Sequence, residues 1–139
     1  MNGADCPACD GSWPAGAQRI ADLGATVAYL HEDQAFPGWS VLVLKRHATE
    51  LYELTSAERG EVIENVSRMA RVLATTFRAV KVNYALLGNV LPHIHWQVMP
   101  RAAADPAPKE PVWAIPHDVV RLSPAALSER ISRIRSHLG

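Results

Sequence analysis

A chain of 139 residues, 48% hydrophobic and 20% charged, suffices for one domain around a single core and is too apolar to stay disordered. Fourteen basic residues balance fourteen acidic ones, so with the six histidines neutral no net field gathers nucleic acid around the molecule. No apolar run reaches the ~18–20 residues of a membrane helix and no charged head precedes an apolar stretch at the N-terminus, so the expectation is a cytoplasmic protein with neither membrane nor nucleic acid as partner.

The first feature along the chain is Cys6-Pro7-Ala8-Cys9, whose spacing lets both thiolates bind one tetrahedral Zn²⁺. By itself it is half a site, and a redox pair is the alternative. Thr26 to Leu30 predicts a strand, 36–38 (Phe-Pro-Gly) a turn, and Ser40 to Leu44 a strand buried on both faces and ending at Lys45-Arg46. Thr55 three residues before Glu58 is a capping box that starts a helix. Its inward stripe is Val62, Ile63, Val66, Met69, Ala70, Leu73 and Phe77. Strands are predicted over 81–87 and 93–99, separated by a Gly88-Asn89 turn; 102–111 reads as a loop. Ser123-Pro124 starts a second helix over 123–138, which buries Leu127, Ile131, Ile134 and Leu138. Its arginines read as a solvated basic face. The order predicts an α+β domain with a mostly antiparallel sheet.

Alternation over 93–99 puts His93, His95 and Gln97 on one face and Ile94, Trp96 and Val98 on the other, so Trp96 belongs to the core. Two imidazoles and an amide in a row, flanked by Gly88-Asn89 and by the Arg101 guanidinium, suit an anion. His31, His117 and His137 read as surface residues.

The stretch from Asn83-Tyr84-Ala85 through His93-Ile94-His95-Trp96-Gln97-Val98-Met99 to Arg101 resembles the motif of the histidine triad (HIT) superfamily, His-φ-His-φ-His-φ-φ with φ apolar. Upstream, Phe36-Pro37-Gly38-Trp39 running into Ser40 to His47, then Leu54-Thr55, is similar to the family's strand-to-helix segment. Downstream, Pro111-Val112-Trp113 is similar to a Pro-Ile-Trp element of one bacterial branch, that of dinucleoside polyphosphate hydrolases. The likeness covers about 6–113 of a single domain, 1–139. It departs at Gln97, where the triad has His, and there resembles the His-φ-His-φ-Gln branch of galactose-1-phosphate uridylyltransferase and dinucleotide phosphorylases.

The resemblance implies an HIT-like fold with a five-stranded sheet, a long helix and a C-terminal helix, assembled as a homodimer. It implies chemistry at the α-phosphate of an AMP-containing nucleotide, with His95 attacking phosphorus to give a covalent nucleotidyl-histidine and with Gln97 and His93 beside it. Asn83 and Asn89 are expected near the phosphates and Glu32 or Asp33 near the ribose; whether Trp113 approaches the site, its own or a neighbouring subunit's, stays open. Cys6, Cys9, His47 and His93 match the positions of a structural zinc site. The activity expected is hydrolysis of a nucleoside polyphosphate; the alternatives are transfer of the nucleotide to phosphate or a sugar phosphate, and a nucleotide-binding module without turnover. An amide in place of the third histidine has no proton to give a departing amine, so leaving groups that are stable anions are favoured.

Overall fold

The computed structural model describes residues 3–139; Met1 and Asn2, which open the predicted 1–139 domain, lie outside. In chain order the elements are α1 (Pro7–Asp10), β1 (Arg19–Asp22), β2 (Thr26–Leu30), β3 (Ser40–Leu44), α2 (Ser56–Phe77), β4 (Lys81–Leu86), β5 (His95–Arg101) and α3 (Pro124–Leu138). The strands form one antiparallel sheet in the order β1-β2-β3-β5-β4.

The capping box forms as the sequence requires. Thr55 Oγ1 accepts from the Glu58 N–H at 3.1 Å and Glu58 Oε1 accepts from the Thr55 N–H at 2.9 Å. Arg46 reinforces it at 2.7 Å, and these bonds pull the Glu58 carboxyl down to about 2. At α3, Ser123 Oγ accepts from the Ala126 N–H and Pro124 fills the first turn. Both helices cover one face of the sheet: Val66, Met69, Leu73, Ile131 and Ile134 pack on Ala28, Leu30, Leu42 and Val98. Asn65 ties α2 to the sheet, since its Oδ1 accepts from Thr26 N and Oγ1 at 3.1 and 2.8 Å and its amide donates to Leu23 O at 3.0 Å.

The elements differ from expectation at three places. A strand at Arg19–Asp22 was not foreseen, because only Ile20 of its four residues is buried and the rest is held by backbone pairing to β2. Ile63 is 48% exposed and lies off the helix stripe. The strand predicted over 93–99 starts at His95; His93 sits two residues before it, held by its own N–H donating to Leu91 O and by the Ile94 N–H donating to Ala48 O.

On the opposite face, a smaller cluster of Phe36, Trp39, Met99 and Val112 covers part of the sheet. The loop at 102–111 closes around Arg101, which is 2% exposed. Its guanidinium donates to Asp105 Oδ2 at 2.6 Å, Asn83 Oδ1 at 2.8 Å, Glu110 O at 2.7 Å and Ala107 O at 2.9 Å. Arg101 is therefore a structural hub, and the expectation that its charge is offered to an anion is corrected.

Candidate functional site

β3 and β5 are neighbours, so a residue just past the end of one, His47, and a residue just before the start of the other, His93, fall together. The first turn of the chain meets them there. Cys6 O accepts from the N–H groups of Cys9 and Asp10, a single helical turn that turns both sulfurs the same way. His93 Nδ1 lies 3.3 Å from Cys6 Sγ, 3.6 Å from Cys9 Sγ and 3.1 Å from His47 Nδ1, and the Cys9 Sγ to His47 Nδ1 distance is 3.4 Å. The four ligand atoms lie within 4.8 Å of one another. Ligand bonds of 2.0–2.3 Å in a tetrahedron place ligands about 3.3–3.8 Å apart, so the donor set suits one Zn²⁺.

The tautomer of His93 agrees with that fit. Its Nε2 lies 2.7 Å from Leu44 O; a carbonyl only accepts, so Nε2 carries the proton and Nδ1 aims its lone pair at the cysteines. Burial, ahead of the charges of His47 and His95, lowers the His93 pKa and keeps the ring neutral. Burial and then the adjacent Cys6 raise the Cys9 thiol; a bound cation reverses that preference.

His95 opens β5 and is 9% exposed. Its Nδ1 lies 2.6 Å from the carbonyl oxygen of His93. By the same argument Nδ1 is protonated, and Nε2 keeps a lone pair with no partner among the described residues. One residue thus serves two neighbours: the His93 ring faces the cysteines while its carbonyl sets the tautomer of His95.

His95 and Gln97 share a face of β5 and line a cavity of about 530 Å³ with Trp13, Gly88, Asn89 and Leu91. Gly88 turns the chain at φ +98°, which brings Asn89 to the rim. The Trp13 N–H donates to Pro7 O at 3.1 Å, folding the N-terminal segment back so that the indole meets the His95 ring edge-on at 5.2 Å. Gln97 Oε1 accepts from Trp39 Nε1–H at 2.7 Å.

The cavity gathers His95, Gln97 and Asn89, and leaves out four residues expected there. The His93 ring faces the cysteines. Asn83 lies on β4 with its Oδ1 taken by Arg101, beside a separate groove lined by Lys81, Tyr84 and Trp113, so Trp113 also stays away. Asp33 is buried, and its carboxylate accepts from Ala35 N at 3.0 Å, Val120 N at 3.1 Å and His117 Nε2 at 2.8 Å. Glu32 is exposed, pairs with Arg121 at 3.2 Å and borders a small pocket of about 210 Å³ next to Trp13 and His31. The three histidines read as surface residues all have specific partners: His117 bridges to Asp33, His31 is half-buried and stacked on Trp39 at 3.9 Å, and His137 Nδ1 lies 3.0 Å from Thr76 Oγ1. Trp96 does pack between the core clusters, as alternation requires. Sequence reasoning missed Trp13 and Trp39, whose roles depend on segments remote from β5.

Comparison with known proteins agrees with this geometry. The HIT domain family model matches residues 15–104. A bis(5'-nucleosyl)-tetraphosphatase (asymmetrical) of Schizosaccharomyces pombe is 24% identical over 98 residues, 67% of this chain and 54% of that protein, so the chain spans about half the length of the curated relative it matches. Among solved structures, a histidine triad protein of Bradyrhizobium japonicum superposes with a TM-score of 0.79 at 27% identity, covering 87% of this chain and 90% of the other. A Zn-bound histidine triad family protein of Mycobacterium smegmatis shares the fold, with a TM-score of 0.72 at 20% identity over 99% and 95% of the two chains. With sheet, motif strand and family model in agreement over most of its length, the chain belongs to the HIT domain family.

Proposed function

We propose that the protein hydrolyses an AMP-containing nucleoside polyphosphate or related nucleotide conjugate at the α-phosphate. The observation that carries this reading is the His95 ring: its Nδ1–H is tied to the His93 carbonyl and its Nε2 lone pair is left beside a cavity large enough for a nucleotide. Nε2 attacks the α-phosphorus, the bond from phosphorus to the bridging oxygen breaks, and the electron pair departs on the leaving polyphosphate. Water then attacks the nucleotidyl-histidine, the P–N bond breaks with its electron pair returning to Nε2, the proton lost by the water goes to solvent, and the neutral imidazole is restored. Gln97 and Asn89 donate amide hydrogens to phosphate oxygens where negative charge builds up. Glu32, rather than Asp33, is the carboxylate with an oxygen to spare for ribose. The tetraphosphatase relative supports a nucleotide substrate.

Cys6, Cys9, His47 and His93 hold a structural Zn²⁺, which supplies a clamp between the N-terminal turn and the sheet. The Zn-bound relative supports it. The outer edge of β4, flanked by exposed Val80, Tyr84, Leu87 and Trp113, offers an unpaired strand to a second copy, which supports a homodimer. We read 1–139 as one domain acting in the cytoplasm; no described helix is long and apolar enough to cross a membrane.

Gln97 favours a second reading, in which phosphate or a sugar phosphate takes the nucleotide in place of water. Incubation with a panel of dinucleoside polyphosphates, adenylyl sulfate and phosphoramidates, with and without phosphate, separates the two by product. AMP formed without phosphate supports hydrolysis, and a nucleoside diphosphate formed only with phosphate supports transfer. Saturable nucleotide binding with neither product leaves a binding module and defeats both.

A further inference from the structure

We propose that Trp39 is a positioning residue of this site: its indole N–H holds the Gln97 carbonyl oxygen, so that the amide turns its NH₂ toward the cavity beside His95. The proposal rests on the nucleotide reading for its chemical consequence, and on geometry alone for the lock itself. An indole nitrogen only donates, so the Gln97 atom 2.7 Å away is the oxygen and the amide has one orientation, not two. A flipped amide sets N–H against N–H. The Gln97 NH₂ has no partner among the described residues, and its residue lines the cavity while Trp39 does not.

The indole is itself held from several sides. It is 7% exposed and lies flat on the His31 ring, with planes 3° apart and centroids at 3.9 Å. His31 is fixed in turn, because its Nδ1 accepts from the Asp33 N–H at 3.0 Å. The Trp39 backbone is bonded on both groups: N–H to Phe36 O at 3.1 Å, and O from the His31 N–H at 2.8 Å and the Gln34 amide at 3.0 Å. The preceding Gly38, at φ +92°, makes the turn that directs the indole inward.

A locked amide meets the substrate with donors. It therefore stabilises an oxygen that accepts, the α-phosphate or the departing oxygen of a phosphate, polyphosphate or sulfate, and has no acidic proton to hand to a departing amine. Trp39 acts on specificity through Gln97, without touching the ligand.

Trp39→Phe keeps the stacked ring and removes the donor. The expected result with diadenosine tetraphosphate is a kcat lower by about tenfold, the size typical of a lost orienting contact, with KM changed less than about twofold. In a Gln97→Ala background the same substitution changes kcat less than about twofold, because there is no amide left to orient. A kcat near wild type, or an equal loss in both backgrounds, overturns the proposal. Gln97→Glu guards against a misfolded Phe variant: it keeps an acceptor for the indole but puts a charged oxygen where the NH₂ stood, so it turns over more slowly than Gln97→Ala, and a faster rate contradicts the lock. One readout needs no turnover. In ¹⁵N-labelled protein the Trp39 indole N–H resonance moves upfield and exchanges faster on Gln97→Ala; an unmoved resonance overturns the proposal. Wild-type protein that turns over no nucleotide defeats the hydrolase reading, and the indole resonance still decides the lock.

Discussion

At the scale of single residues, the site is a set of tautomers and amide orientations fixed by backbone acceptors and one indole. Leu44 O fixes the His93 ring, His93 O fixes the His95 ring, and Trp39 fixes Gln97. Because Gln97 has no acidic proton, Gln97→His is expected to raise turnover of an AMP-amine substrate at least several-fold relative to turnover of an anhydride substrate. Parallel kinetics on the two substrate types check it, and an equal or lower ratio of amine to anhydride turnover counts against the role given to Gln97. The His117–Asp33 bridge gives a pH signature. Hydrogen bonding to Asp33 raises the His117 pKa, so this contribution is complete below the ordinary histidine value of about 6.5 and is lost as pH rises through the raised value. Burial pulls the Asp33 carboxyl up, but the Ala35 and Val120 N–H groups and His117 outweigh it, so its contribution is present above about pH 3.9 and is lost as pH falls through the lowered value. Urea midpoints of wild type and His117→Ala should therefore differ most between about pH 4 and 6.5 and converge toward alkaline pH. A difference that grows with pH refutes the bridge.

Among the elements, two joints set where the site lies. Gly38 stands at φ +92°, and a Cβ there meets Phe77 at 2.5 Å and Pro100 at 2.8 Å, both side chains that the core holds in place. Gly38→Ala should cost about 2–3 kcal/mol by urea denaturation and disturb Trp39 with it. Asn65→Ala strands two donors of buried Thr26 and should cost about 2 kcal/mol; a loss below about 0.5 kcal/mol shows that water replaces the amide at no penalty. What the chain itself reveals of these elements follows from how local their causes are. α2 is legible because Thr55, Glu58 and the apolar stripe lie within one segment, and the Ser40–Leu44 strand because all five residues are buried. β1 is not legible, since its place depends on pairing with β2 and a single inward Ile20. Alternation correctly puts His95 beside Gln97 but carries His93 along with them. The chain leaves the strand pattern just before His95, and there the His93 ring finds Cys6, Cys9 and His47. Asp33 is expected near the ribose because nothing local shows that the distant Val120 and His117 close over it.

For the molecule as a whole, the Cys–His cluster joins the first turn of the chain to the middle of the sheet and so holds Trp13 against His95. Protein purified without chelator should carry about one equivalent of zinc per chain, and its removal should lower the thermal midpoint and loosen Trp13. Less than about half an equivalent with both cysteines intact contradicts the zinc assignment. The covalent step at His95 is the claim on which the functional account stands. Its most direct measurement is an alkaline quench during turnover of labelled diadenosine tetraphosphate, followed by peptide mass spectrometry. The account predicts an adenylyl group on Nε2 of His95, absent from His95→Ala, which also releases no AMP. Full AMP release by His95→Ala, or an adenylyl group carried by another residue, would contradict it.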